Sequence, residues 1–219
     1  MDPLSATLVI DYQNVHLTGH GMFAPNHPLH DYLISPGRYA DVLIKRRNGL
    51  QKSGHRPAIA RQILVYRGLP SNQVDPVAYS RNLSQKANWE IDRRVSVTQR
   101  PLKYVYETNH HGDRLTDSNG LFIPLDKPRE KGVDVLCALA VVREARLTDL
   151  VILCSQDTDL APALEEAYRM KRAKIETASW HDSHDPRAAR EIGTGDIKLW
   201  NTRLREEDFF NSTDSTDYS

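Results

Sequence analysis

The fold is decided by two adjoining stretches, KGVDVLCALAVVR at residues 131–143 and LVILCSQDTDL at residues 150–160. The first is apolar around most of a helix circumference, so we predict a buried helix that carries Asp134 in its first turn. The second begins with an apolar, partly β-branched run, which is typical of a central parallel strand. Asp157 and Asp159 therefore follow directly after a strand and stand where a helix begins.

Further strands are predicted on both sides of this unit. Compact apolar runs indicate strands at residues 7–10, 62–66, 95–97 and 174–178, and residues 197–204 form an ordered piece of uncertain type. Turn residues show that the segment 95–124 also contains a projecting β-hairpin insertion. Because strands alternate with helices, we predict an α/β three-layer sandwich with a mostly parallel central sheet. Its first and fourth strands should lie side by side.

The remaining segments are assigned from helix and turn signals. Residues 36–52 place apolar side chains on one helical face, and Pro76 marks a second helix start. Residues 18–36 are rich in Gly, His and Pro and are predicted to be a loop. We expect residues 1–205 to form a single domain. The acidic residues 206–219, rich in Ser, Thr and Asp, should be a disordered tail.

Composition limits the classes of protein to which the chain can belong. Its 29 basic residues balance its 29 acidic residues, so net charge argues neither for nor against a nucleic-acid partner. No apolar run approaches the roughly 18 residues that span a bilayer, so no membrane association is expected. Cys137 and Cys154 lie inside apolar runs, which favours buried thiols in a reducing cytoplasm over a disulfide.

Carboxylates should gather at one edge of the sheet, where Asp11 ends the first strand and Asp157 and Asp159 follow the fourth. The helix that carries Asp134 should begin there too, and the Asn14 amide could hold a water or a phosphate. Unit charges about 4 Å apart repel by roughly 4 kcal/mol at an effective dielectric near 20, so the cluster requires protonation or a cation. Hard oxygen ligands favour Mg²⁺ or Mn²⁺, which can activate water for phosphodiester hydrolysis.

Three short motifs at these positions carry a family resemblance. They are VIDYQN at residues 9–14, KGVDV at 131–135 and SQDTDL at 155–160. Together they resemble the signatures of NYN-domain proteins, a group of PIN-like nucleases, and the LabA-like branch is the most similar in wording. The resemblance covers about residues 8–178. It implies a PIN-like fold and the metal-dependent cleavage of RNA by an endoribonuclease.

The resemblance also implies roles for individual residues. The metal ligands would be four carboxylates, Asp11, Asp134, Asp157 and Asp159. Asn14 would complete the catalytic set by supporting the site, and Glu130 would be an outer-shell partner. The implied cofactor is Mg²⁺ or Mn²⁺, the implied partner is RNA, and the expected location is the cytoplasm.

The acidic residues could instead have purely structural roles. Asp157 could simply cap the helix that follows, Asp159 could interact with the dipole of that helix, and Asp11 could be a turn residue. The domain would then be a non-catalytic module that binds RNA or a protein partner, including a second copy of itself. A phosphatase is disfavoured because Gln13 stands where a D-x-D motif needs its second carboxylate.

Basic clusters are weaker evidence for an RNA path. Runs at residues 45–47, 93–94 and 169–174 could line such a path, with aromatic rings that stack on bases. The candidate rings are Tyr66, Tyr104 and Trp180. Such basic runs are more often solvated helix faces. His181 and His184 have zinc-ligand spacing, but their polar neighbours indicate a loop.

Overall fold

A six-stranded parallel sheet forms the centre of the computed structural model, which describes residues 2–184 and 191–218. The strands are β1 (Leu4–Asp11), β2 (Ala58–Leu69), β3 (Val95–Pro101), β4 (Leu150–Cys154), β5 (Lys174–Trp180) and β6 (Trp200–Leu204). Their order is β3-β2-β1-β4-β5-β6, and each neighbouring pair is parallel. The α/β class and the predicted adjacency of the first and fourth strands are therefore confirmed.

Helices cover both faces of this sheet. They are α1 (Tyr12–Phe23), α2 (Pro36–Leu50), α3 (Pro76–Trp89), α4 (Val133–Glu144), α5 (Ala161–Arg169) and α6 (Glu206–Asn211). Side chains of β1 alternate between the two faces, as in any pleated strand. Leu8 and Ile10 belong to an apolar cluster with α1 and α2, whereas Val9 belongs to a second cluster with α4 and α5. The three-layer sandwich follows from this alternation.

The sheet brings the carboxyl ends of its central strands together. Ile10 of β1 and Cys154 of β4 are register partners, so Asp11 and Ser155 emerge side by side at one edge. Helix α4 begins near that edge, as shown by the pocket that its first turn and Asp11 line together. Gly132 precedes the helix with a φ of 78°, a left-handed conformation that glycine adopts without steric cost.

Helix α1 occupies part of the segment that the sequence predicts as a loop at residues 18–36. The Asp11 carboxylate caps its first turn by accepting the Asn14 backbone N–H at 3.4 Å. A Cβ added at Gly19 would lie 2.8 Å from Trp180 Nε1, so only glycine lets the helix approach that ring so closely. The low helix propensity of glycine is what makes this segment resemble a loop.

The sequence predicts a disordered tail at residues 206–219, but the structure differs over residues 206–218. Helix α6 lies here, and the Phe209 side chain is 0% exposed, in contact with the rings of Phe23 and Trp180. Asp208 stabilises the first turn by accepting the backbone N–H at the helix start at 2.8 Å. A polar composition is therefore a poor guide here, because one aromatic side chain attaches the segment to the core.

The β-hairpin insertion follows β3 and extends beyond its predicted end at residue 124. Four antiparallel bridges define it: Lys103–Arg129, Tyr106–Pro124, Thr108–Arg114 and Thr116–Phe122. The Arg114 guanidinium lies 4.2 Å from the centroid of the Tyr106 ring, a cation–π contact within the insertion. The last bridge ends at Arg129, so the insertion delivers the chain directly to Glu130 and the start of α4.

Both cysteines are buried free thiols, as predicted. Cys137 lies in α4 and Cys154 at the end of β4, and neither side chain is exposed. Burial raises the pKa of Cys154 to about 12, so this group remains a neutral thiol at physiological pH. Within residues 2–184 and 191–218, no helix has the length and apolarity needed to cross a bilayer.

Candidate functional site

An open acidic pocket of about 450 Å³ lies at the carboxyl edge of the sheet. We call it the acidic pocket. Four carboxylates line it: Asp11 from the end of β1, Glu130 and Asp134 from either side of the α4 start, and Asp157 from the loop after β4. These residues are distant in sequence and are brought together by the parallel order of the central strands. Three of the four aspartates that the sequence predicts at this edge, Asp11, Asp134 and Asp157, line the pocket, whereas Asp159 does not.

Asp11 is the most deeply placed of these groups, with 6% of its surface exposed. Its Oδ2 accepts the Ser155 hydroxyl at 3.1 Å, and its Oδ1 accepts the Asn14 backbone N–H. Burial raises the pKa of Asp11 to about 6, the two hydrogen bonds oppose that rise, and the charges of Asp157 and Asp134 add to it. A cation in the pocket would offset both the cost of burying the Asp11 charge and its repulsion by Asp157 and Asp134.

Asp157 and Asp159 have different surroundings although they are two residues apart. Asp157 lines the acidic pocket, and its backbone N–H donates to Ser155 Oγ at 3.1 Å. Its carboxylate caps the short 3-10 turn Thr158–Leu160 by accepting the Asp159 backbone N–H at 3.0 Å. Asp159 itself is exposed and is not among the residues that line the pocket. The capping role predicted as an alternative for Asp157 therefore exists alongside its place in the pocket.

Glu130 and Asp134 form the opposite wall. Asp134 is exposed in the first turn of α4. The Glu130 carboxylate accepts a hydrogen bond from the Gly68 backbone N–H. With the Gln13 amide oriented so that its nitrogen faces Glu130, Gln13 Nε2 donates a second hydrogen bond at 2.6 Å. Burial raises the pKa of Glu130, the hydrogen bond from Gly68 opposes this, and the negative charge of Asp11 adds to it. Glu130 is thus tied to β2 and α1 while it borders the pocket.

Asn14 supports the site through its side-chain oxygen. Its Oδ1 accepts the Gln156 backbone N–H at 2.8 Å, which ties α1 to the loop after β4. Asn14 does not line the acidic pocket. This hydrogen bond holds the loop that carries Asp157 against the first turn of α1, next to Asp11. The structure therefore gives Asn14 a supporting position, and its amide is already engaged with the protein.

The carboxylates line an open pocket and are not assembled into a metal-binding group. Among the described residues, no three or more His, Cys, Asp or Glu side chains form a group that could hold a metal ion as they stand. The donor chemistry nevertheless fits a hard divalent cation, because four carboxylates line the pocket against the one ammonium group of Lys131. Binding would therefore require rotation of the exposed Asp134 and the half-buried Asp157 toward Asp11.

Several residues predicted to contact RNA are occupied elsewhere. The Arg47 side chain is 1% exposed and forms a bidentate ion pair with buried Glu176. Its Nε donates to Oε2 at 3.0 Å and its Nη2 donates to Oε1 at 2.9 Å. Tyr66 and Trp180 are 6% and 2% exposed, so their rings cannot stack on a base. Arg94 forms ion pairs with Asp41 and Asp92, both at 2.7 Å. Arg46 and Arg47 of the basic run at residues 45–47 are thus engaged within the fold, whereas Lys45 is exposed.

Sequence reasoning missed a second cavity beside the acidic pocket. This cavity is lined by Arg67, whose guanidinium lies 4.6 Å from the ring centroid of Tyr12 and 5.3 Å from that of Trp89. Glu130 lines both cavities, so they are neighbours. The sequence signal was the position of Arg67, which directly follows the apolar run 62–66 near the end of a predicted strand.

Comparisons with known proteins supply no function for this chain. No protein-family model matches this sequence, and no curated protein matches it either. A solved structure of a protein of unknown function from Vibrio parahaemolyticus is similar, with 17% sequence identity and a TM-score of 0.45. The match covers 80% of this chain and 81% of that one. Functional assignment consequently depends on the chemistry of the two cavities.

Proposed function

We propose that this chain is a metal-dependent endoribonuclease of the NYN/PIN-like class that hydrolyses RNA phosphodiester bonds at the acidic pocket. One observation carries the proposal. Asp11, Asp134 and Asp157 come from three separate parts of the chain and line one open cavity at the carboxyl edge of a parallel sheet. Ligand sites of open α/β sheets lie at this edge. The three residues also occupy the three motifs that resemble those of NYN-domain proteins.

The lining carboxylates would hold Mg²⁺ or Mn²⁺, with Asp11, Asp134 and Asp157 as ligands. Such an ion supplies charge stabilisation for the phosphoryl oxygens and lowers the pKa of a bound water. The chain supplies the positioning: the Ser155 hydroxyl orients the Asp11 carboxylate, and the Asn14 amide holds the loop that bears Asp157. Glu130, held in place by the Gly68 backbone N–H, borders the pocket behind the three aspartates.

A non-catalytic module that binds RNA or a protein is the second candidate. The observation that favours it is the spacing of the acids, because the described residues contain no preassembled metal-binding group. Asp157 and Asp11 would then act mainly as helix caps, each contributing about 1 kcal/mol to stability. In this case Mn²⁺ would leave the protein unchanged and no RNA would be cut.

Cleavage of end-labelled single-stranded RNA tests the proposal. We expect products in millimolar Mg²⁺ or Mn²⁺ and none after chelation, and we expect Asp134→Asn and Asp157→Asn to lower the rate more than about a hundredfold. Asp126→Asn is the matched control, because Asp126 is an exposed carboxylate outside the acidic pocket. Circular dichroism should show that all three variants remain folded.

Two results would contradict the proposal. If the Asp134 and Asp157 variants cut RNA as fast as the wild type, the acidic pocket is not the catalytic site. If the wild type cuts no RNA and calorimetry detects no binding of Mn²⁺ at millimolar concentration, the non-catalytic module is the correct description.

A further inference from the structure

The second cavity has a volume of about 240 Å³ and lies between α1, α3 and the end of β2. We call it the arginine pocket, after Arg67. Its size falls below the range of roughly 300–1,000 Å³ typical of sites for drug-sized ligands, so it suits a ligand no larger than one mononucleotide. Its wall is largely apolar and includes Leu29, Leu33 and Leu102, while Arg67 and Arg81 supply positive charge.

Arg67 is a partly buried cation without an ion-pair partner in the described part of the chain. Its Nη1 donates to Gln85 Oε1 at 2.8 Å, and its face lies against the rings of Tyr12 and Trp89. Burial lowers its pKa, while Tyr12 and Glu130 oppose that effect. The in-plane Nε and Nη2 groups make no hydrogen bond among the described residues. A guanidinium in this state favours an anion that can accept two parallel hydrogen bonds, such as a phosphate.

One polar atom on each of two side chains of the same wall also lacks a partner. His16 and Asn82 are 7% and 8% exposed, and within the described residues His16 Nδ1 and Asn82 Oδ1 receive no hydrogen bond. The Asn82 amide is oriented because its Nδ2 donates to the Ala78 carbonyl at 2.8 Å, which leaves Oδ1 as an acceptor. Burying polar atoms without partners costs roughly 1–3 kcal/mol each. A ligand that carries N–H donors would offset this cost if a donor reaches His16 Nδ1 or Asn82 Oδ1.

These features point to one ligand class. We infer that the arginine pocket binds one nucleotide of a single-stranded RNA, with its phosphate at Arg67 and its base against the leucine wall near His16 and Asn82. The inference rests on the proposed function for the identity of the polymer. It adds a nucleotide subsite beside the acidic pocket, because Glu130 borders both cavities and the strand would pass from one to the other.

The acceptors also predict a preference among bases. Adenine, cytosine and guanine each carry an exocyclic amino group with two N–H donors, whereas uracil carries a single imide N–H donor between two carbonyl acceptors. Acceptors that face another acceptor are left unsatisfied, which is the strongest basis for rejecting a ligand of similar size. The arginine pocket should therefore favour bases with an amino group over uracil.

Calorimetry with nucleotides in metal-free buffer containing chelator tests this inference. We expect AMP to bind, and adenosine, which lacks the phosphate, to bind roughly tenfold or more weakly, as the loss of a charged hydrogen bond predicts. UMP should also bind more weakly than AMP. Equal affinity for AMP and adenosine would overturn the inference, as would equal affinity for AMP and inorganic phosphate, which would show a simple anion site.

Variants locate the binding to the arginine pocket. Arg67→Gln should abolish the advantage of AMP over adenosine, but Arg67 also packs on Tyr12, so the variant could be destabilised. Leu29→Glu avoids this problem, because Leu29 is 51% exposed at the rim and the new charge would repel the phosphate. We expect it to weaken AMP binding roughly tenfold. Leu50→Glu, at a residue 49% exposed outside the pocket, should leave binding unchanged.

The outcomes separate this inference from the proposed function. AMP binding that Leu29→Glu weakens, in a protein that cuts no RNA, retains the nucleotide subsite and rejects the nuclease. Metal-dependent cleavage by a protein that binds no AMP, or that binds it equally well in the Leu29 and Leu50 variants, rejects the subsite and retains the nuclease.

Discussion

The Asp11 side chain is subject to opposing effects: burial and nearby negative charges disfavour its ionised form, and its hydrogen bonds favour that form. It is buried next to Asp134 and Asp157, and burial with their charges raises its pKa from 3.8 to about 6. Since one pKa unit corresponds to about 1.4 kcal/mol, holding this carboxylate ionised at neutral pH costs about 3 kcal/mol. The hydrogen bonds from Ser155 and Asn14 do not remove that cost. A group with this environment is typical of a functional site, where ligand binding recovers the free energy.

Asp11→Asn should therefore stabilise the metal-free protein. The folded pKa near 6 exceeds the ordinary value of 3.8, so the folded state binds more protons between these pH values and wild-type stability falls as pH rises through this window. Asparagine does not titrate. We expect a gain of about 1–3 kcal/mol above pH of about 6, reduced by the altered contact with Ser155, and no gain below pH of about 4.

Urea denaturation in chelator at a series of pH values measures this effect. Asp159→Asn is the control, because Asp159 is exposed and does not line the acidic pocket. A gain for Asp11→Asn that is the same at all pH values would mean that the charge of Asp11 is not its cause.

At the scale of helices and strands, the sequence predicts the elements that have a clear local pattern. It does not predict those that depend on contacts with residues distant in sequence. Strands β1 and β4 were predictable because each is a compact apolar run that ends at a polar residue. Helices α1 and α6 were not, because their stability comes from partners distant in sequence. Gly19 of α1 and Phe209 of α6 meet at the Trp180 ring of β5, and no local periodicity encodes that meeting.

Phe209→Ala tests whether α6 is part of the core. Phe209 is 0% exposed and contacts the rings of Phe23 and Trp180, so its removal leaves a cavity and should cost about 3–5 kcal/mol of unfolding free energy. Its neighbour Phe210 is 41% exposed, and Phe210→Ala should cost clearly less. Chemical denaturation of the two variants gives the comparison. Equal, small losses would show that the segment is the disordered tail that its composition suggests.

At the scale of the whole molecule, topology decides which predicted site residues meet. The parallel order places β1 beside β4, so Asp11 and Asp157 were predictable neighbours once both strands were recognised. The same logic could not orient individual side chains. Asp159 remains outside the acidic pocket, and Asn14 Oδ1 is used by the loop after β4. The arginine pocket could not be predicted because three elements create it, and the position of Arg67 near a strand end does not by itself indicate a cavity.

The same topology predicts that a divalent cation stabilises the entire fold. Asp11, Asp134 and Asp157 are close only in the folded chain, so a cation that they bind favours folding by RT ln(1 + [L]/Kd), about 2.7 kcal/mol at a hundred times Kd. Against a typical total of about 5–15 kcal/mol, this is a readily measured rise in melting temperature. We expect Mn²⁺ to raise the melting temperature of the wild type and of Asp126→Asn, and to have little effect on Asp134→Asn or Asp157→Asn. An equal rise in all four proteins would place the bound ion outside the acidic pocket, since the two pocket variants would have lost nothing that the ion requires.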